Sequence, residues 1–123
     1  MSVSDLPSRV ARLSIEVKPW TNCFLESIIY SSSPEGDDLQ ITIERENDLQ
    51  LSVLKVGTLR MVAIDKPDSI DQCFIDEVRV RLITGGTREP FGAGYFEDRR
   101  DFVRLTLTGP ASLDVVFENW WWG

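Results

Sequence analysis

Apolar residues recur at every second position through much of this chain, the period of strands with one buried face. Over residues 12–18, Leu13, Ile15 and Val17 alternate with Arg12, Ser14, Glu16 and Lys18, which predicts a strand ended by Pro19. Residues 24–31 form a second run, with Leu25, Ile28, Ile29 and Tyr30 supplying its apolar mass. Residues 32–37 hold the Pro and Gly that a reversal needs. Leu39, Ile41 and Ile43 then alternate inward against Gln40, Thr42 and Glu44. A tight turn is expected at Glu46, Asn47 and Asp48, after which Leu49, Leu51 and Val53 resume the period of two.

Gly57 interrupts this run and predicts a bulge or bend. Beyond it, Leu59, Met61 and Ala63 on one face and Val62 and Ile64 on the other read as a strand buried on both sides. Asp68 is placed to cap a short helical turn reaching Cys73. Residues 74–84 alternate Val78, Val80 and Leu82 against Arg79, Arg81 and Ile83, and 85–100 form the longest irregular stretch. Two last strands, 102–108 and 112–120, are joined through Gly109 and Pro110. Seven or eight strands with regular turn signals predict a mainly β fold, an antiparallel sandwich or barrel with at most one or two short helices. With 123 residues and no linker, the chain reads as a single domain spanning 1–123.

Charge narrows the partners. The formal net charge is −7, and such a surface repels phosphate backbones and anionic lipid, so neither nucleic acid nor membrane is expected. The charge either simply keeps the protein soluble or marks a basic protein as its electrostatic partner. The first 13 residues lack the apolar core of a secretory signal, so a cytoplasmic location is expected, and there Cys23 and Cys73 read as buried small hydrophobes. Their spacing leaves a disulfide open.

Candidate chemistry is sparse. The chain contains no histidine, which removes Ser–His–Asp and Cys–His nucleophilic sites. Two separated cysteines do not make a structural zinc site. After Asp65, the spacings a calcium loop requires hold Pro67, Ser69 and Ile70. The carboxylates of Glu44, Glu46 and Asp48 cluster at the predicted hairpin and read as a solvated acidic face rather than a paired-carboxylate site. Gly92-Ala93-Gly94 lacks the third glycine of a phosphate cradle. No catalytic residue, metal ligand or cofactor is assigned.

Two features suit partner binding. Tyr95 and Phe96 lie among Arg88, Arg99 and Arg100, the composition of interface anchors and equally of a loop with two tucked aromatics. The chain also ends Trp120-Trp121-Trp122-Gly123. Consecutive side chains in a strand point to opposite faces, so one sheet face does not bury all three indoles. At least one indole therefore covers an edge, packs on a neighbouring loop or meets a partner, and the tail either plugs the open end of the sandwich or barrel or offers an interface.

The stretch Trp20-Thr21-Asn22-Cys23-Phe24-Leu25-Glu26-Ser27-Ile28, followed after a turn by Asp38-Leu39-Gln40-Ile41-Thr42-Ile43, resembles the opening of small bacterial β-rich toxin-immunity proteins. It covers about a fifth of the chain. It departs from the familiar form, which carries a Leu-His-Asp-like triplet where Asn22-Cys23-Phe24 or Phe24-Leu25-Glu26 stands here. The resemblance implies a cytoplasmic protein that neutralises a cognate toxin by binding it. The leading expectation is thus a non-enzymatic protein-binding module, with Trp120, Trp121, Trp122, Tyr95, Phe96, Glu44, Glu46 and Asp48 as its binding surface. The rival is a small β-barrel that binds or isomerises an apolar molecule among the tryptophans, Phe91, Tyr95 and Phe96, with Glu26 or Asp76 as a desolvated base. A homodimer formed through the tail is a third option.

Overall fold

The computed structural model describes residues 5–45, 51–68, 72–83 and 101–123. It begins with a helix, α1 (Leu6–Val17), and a short 3-10 turn, Lys18–Trp20. Among the described residues eight strands follow: β1 (Phe24–Ser33), β2 (Gly36–Glu44), β3 (Leu51–Gly57), β4 (Met61–Asp65), β5 (Glu77–Ile83), β6 (Phe102–Thr108), β7 (Ser112–Phe117) and β8 (Asn119–Trp122). They form two four-stranded antiparallel sheets: sheet A, in the order β1-β2-β3-β8, and sheet B, in the order β4-β7-β6-β5. The mainly β antiparallel fold read from the alternation is the fold observed, and of the two forms left open, sandwich or barrel, its two four-stranded sheets make the sandwich.

The core fills the space between the sheets. From sheet A it takes Leu25, Leu39, Ile41, Ile43, Leu54 and Val56, and from sheet B Val103, Leu105, Leu107, Leu113, Val115 and Phe117. Leu39, Ile41 and Ile43 face inward as their alternation requires. Val78, Val80 and Leu82 pack against the same core, while Arg79 and Arg81 are exposed. A smaller cluster of Ile83, Phe102 and Val116, with Met61 against it, lies apart from this core.

Four expectations are corrected. Residues 12–17 are helical, because Leu6, Val10, Leu13 and Val17 make a second apolar stripe at helical spacing. Ile15, which only the strand reading would bury, is 72% exposed. In β3 the inward residues are Leu54 and Val56, while Leu51 is exposed; both phases of this strand are apolar, and pairing of Ile41 with Leu54 and Leu39 with Val56 selects between them. β4 is an edge strand rather than one buried on both sides, so Ala63 and Ile64 are exposed. The single strand expected over 112–120 breaks at Glu118, and its two parts join different sheets.

That break is tied to the crossing between β3 and β4. Glu118 N–H donates to the Gly57 carbonyl (3.2 Å), and Arg60 N–H donates to the Val116 carbonyl (2.7 Å). The two inter-sheet connections thus run side by side and satisfy each other's backbone groups. Elsewhere, Leu25 N–H donates to Cys73 O and Ile75 N–H to Cys23 O, tying the start of β1 to the segment before β5. Both cysteines are free and buried, with thiols donating to Pro19 O (3.1 Å) and Pro67 O (3.2 Å), so the disulfide alternative is not realised. The expected turn at 46–48, the Asp68-capped turn and the irregular stretch 85–100 fall on or run into residues outside those described. No helix among the described residues is long and apolar enough to cross a membrane.

Candidate functional site

The three tail tryptophans obey strand alternation and so do different jobs. In the β3–β8 register, Leu54 pairs with Trp122 and Val56 with Trp120, which sets both indoles on the inward side of sheet A. Trp120 packs edge-on against Phe117 (5.9 Å between centroids) beneath the Arg9 guanidinium, 4.4 Å from its ring. Trp122 meets the buried Trp20 edge-on at 6.0 Å, and its Nε1 donates to Glu16 Oε1 at 3.2 Å. Arg9 and Glu16 both belong to α1, which also packs on β5. The helix and these two indoles therefore pack together on the flank of the sandwich between β8 and β5, with Trp122 still 40% exposed at its rim.

Trp121 points the other way. It pairs with Lys55, on the outer face of sheet A, and is 44% exposed. Register across the four strands sets Ile29, Gln40, Lys55 and Trp121 in one row and Ser31, Asp38, Gly57 and Asn119 in the next. Between Ile29 and Trp121 lies an open pocket of about 230 Å³, lined also by Ser31, Asp38, Gln40 and Lys55. Its walls are an indole and a branched aliphatic side chain. Its polar groups are a carboxylate, a carboxamide, a hydroxyl and an ammonium.

Gly57 explains why the pocket has this shape. A β-carbon there would lie 2.6 Å from Asn119 Oδ1, 2.9 Å from Asp38 Oδ1 and 3.2 Å from Trp121 Cζ3. With no side chain at Gly57, these three groups lean over its bare backbone, and the Trp121 ring is held against the sheet. The Asn119 carboxamide nitrogen donates to Thr58 Oγ1 at 3.5 Å, which turns its oxygen towards Gly57. Among the described residues the Asp38 carboxylate has no hydrogen bond and no ion pair.

Nearer the tip of the β1–β2 hairpin, Tyr30, Ser32 and Asp37 occupy the alternate phase, on the other face of the sheet from the pocket. Asp37 accepts hydrogen bonds from the hydroxyls of Tyr30 (2.6 Å) and Ser32 (2.9 Å). The bond from Tyr30 is the main cause holding the Asp37 carboxyl below its usual value, and it raises the Tyr30 phenol above its own. The tip is thereby fixed without burial.

Of the residues chosen from sequence for partner binding, Trp120, Trp121, Trp122 and Glu44 are described. Glu44 shares the outer face with Trp121, but it lies four residues along β2 from Gln40, roughly 13 Å at strand rise, and opposite Leu51. Glu46, Asp48, Tyr95 and Phe96 lie outside the described residues, as does Phe91. Of the two candidate bases, Glu26 is half-buried and Asp76 exposed. Sequence reasoning missed Ile29, Asp38, Gln40, Lys55 and Gly57 as one surface. Gly57 carried a signal, since a glycine inside a strand marks the close approach of another group.

No protein-family model, curated protein or solved structure matches this chain.

Proposed function

We propose that this chain is a non-enzymatic protein-binding module that neutralises a basic bacterial toxin, docking through the outer face of sheet A. The observation that carries the reading is Trp121. It is a large indole, 44% exposed, fixed over Gly57 and facing Ile29, itself 51% exposed, across a pocket. Indoles held rigidly beside polar groups are the commonest energetic anchors of protein interfaces, and an exposed apolar patch with a polar rim is where partners dock.

Charge supports the same reading. At −7, the chain attracts a cationic partner and speeds its approach. The segments that resemble immunity proteins lead into and build the β1–β2 hairpin, which supplies Asp38 and Gln40 and continues to Ile29. Two buried free thiols suit a reducing compartment, in keeping with action in the cytoplasm of the toxin-producing cell.

The test is co-purification with the product of the neighbouring gene at low and then high salt. Stoichiometric capture that weakens with salt supports the reading, and no capture at either salt overturns it. Sedimentation of the chain alone at high concentration separates partner binding from self-association through the tail, with a monomer expected.

A further inference from the structure

We infer that the pocket between Trp121 and Ile29 takes an arginine side chain of the partner, an assignment that rests on the docking reading above. The pocket is a slot on the outer face of sheet A, with the indole as one wall and Ile29 as the other. Such walls accept the apolar stem of a long cationic side chain. At one end stands Asp38, a half-buried carboxylate without a partner among the described residues. An exposed indole face attracts a cation, and a carboxylate at its rim adds a charge-assisted hydrogen bond.

Lys55 lines the same pocket but leans the other way. Its Cε lies 3.2 Å from where a β-carbon on Gly123 would sit. Along β8 and the residue that follows it the order is Asn119, Trp121, Gly123, and Asn119 pairs with Gly57, which pairs with Asp38. The Lys55 stem is therefore drawn towards the end of the slot away from Asp38, leaving that carboxylate to an incoming cation. Guanidinium fits better than ammonium: its plane lies flat on the indole while its fork donates to Asp38 and to the Gln40 or Ser31 oxygen together.

The choice of a cation also follows from the whole molecule. A surface at −7 selects basic partners, and an arginine is the basic side chain best able to serve as a buried anchor. Gly57 makes the site: any side chain there would push Asp38, Asn119 and Trp121 apart.

The experiment titrates the intact protein with N-acetyl-arginine amide, following the Trp121 indole N–H and the Gln40 carboxamide by NMR. Saturable shifts at Trp121 and Gln40, with half-saturation on the order of 10 mM and the Trp120 and Trp122 indoles unmoved, are expected. Asp38→Asn, which keeps the shape and removes the charge, is expected to weaken binding about tenfold, and Gly57→Ala, acting from another strand, is expected to weaken it as well. N-acetyl-norleucine amide, which has the stem without the charge, is expected to give no saturable shift at Trp121 or Gln40, and the lysine analogue a weaker one than arginine.

Absence of saturation, equal shifts from the norleucine probe, or indifference to Asp38→Asn overturns the arginine assignment. If the neighbouring gene product is captured through Trp121 while the arginine probe does not bind, the docking reading stands and this assignment alone fails. If the probe binds and no protein partner docks on this face, the slot is real and the docking reading fails.

Discussion

Gly109 offers a sharp test of how the two halves of the fold meet. It lies in the β6–β7 turn with φ +150°, and a β-carbon there would sit 2.5 Å from the Phe74 carbonyl oxygen and 3.0 Å from the Asp76 nitrogen. Both are backbone atoms of the segment whose Asp76 N–H donates to Thr108 O at 2.8 Å, so neither yields by a side-chain rotation. Gly109→Ala therefore carries two costs: about 1–3 kcal/mol for a side chain in a glycine-only backbone region, and about 1–3 kcal/mol for overpacking. Gly36 is the matched control, with φ +136° and nothing within 4 Å of its added β-carbon. Gly36→Ala carries the first cost alone. Urea denaturation followed by tryptophan fluorescence is expected to place Gly109→Ala about 1–3 kcal/mol below Gly36→Ala, a large share of a domain's usual ~5–15 kcal/mol. Equal stability of the two variants would refute the packing of residues 73–76 against this turn.

Two further outcomes are expected. Arg104 grips Asp114 through two hydrogen bonds, 2.9 Å and 2.6 Å, in a partly buried setting, so Asp114→Ala should cost about 1–3 kcal/mol in the same denaturation assay. At the hairpin tip, Asp37 should titrate below its ordinary 3.8, and Tyr30→Phe should move its midpoint upward in an NMR titration of the carboxyl carbon. The sign of the linkage follows from these directions. The depressed Asp37 contributes stability above the unfolded carboxyl value, lost as pH falls through its folded value, whereas the raised Tyr30 contributes fully below pH 10 and loses it as pH rises through its folded value.

Alternation alone makes most of the sandwich legible in the sequence. Leu39, Ile41 and Ile43 have only one apolar phase, and the strand at Phe102–Thr108 begins and ends where its pattern does. The reading failed where two periods or two phases fit the same residues. Leu13 and Val17 serve a strand and a helix equally, and only Leu6 and Val10 upstream tip the balance towards α1. In β3, Leu51 with Val53 and Leu54 with Val56 are rival phases that the pairing with β2 decides. The apolar residues on either side of Glu118 and Asn119, Val115 to Phe117 and Trp120 to Trp122, hid a change of sheet there, because a strand leaving one sheet for another keeps its composition.

The candidate site was legible only in part for a related reason. That the three indoles cannot share a face follows from strand geometry, and Trp120 and Trp122 turn inward while Trp121 turns out. The neighbours of Trp121 come from β1, β2 and β3, and no spacing along the chain brings Ile29, Asp38 and Lys55 together. Strand order does, and strand order depends on which edges the core leaves open.

The most direct test of the docking face is the affinity of the captured partner for Trp121→Ala, measured by calorimetry beside Ile64→Ala, which removes an exposed apolar side chain from the opposite sheet. The predicted result is a loss of about 2 kcal/mol or more, roughly thirtyfold in affinity, for Trp121→Ala with thermal stability nearly unchanged, and no loss for Ile64→Ala. Wild-type affinity in Trp121→Ala, or a loss only in Ile64→Ala, would contradict the assignment of the outer face of sheet A as the docking surface.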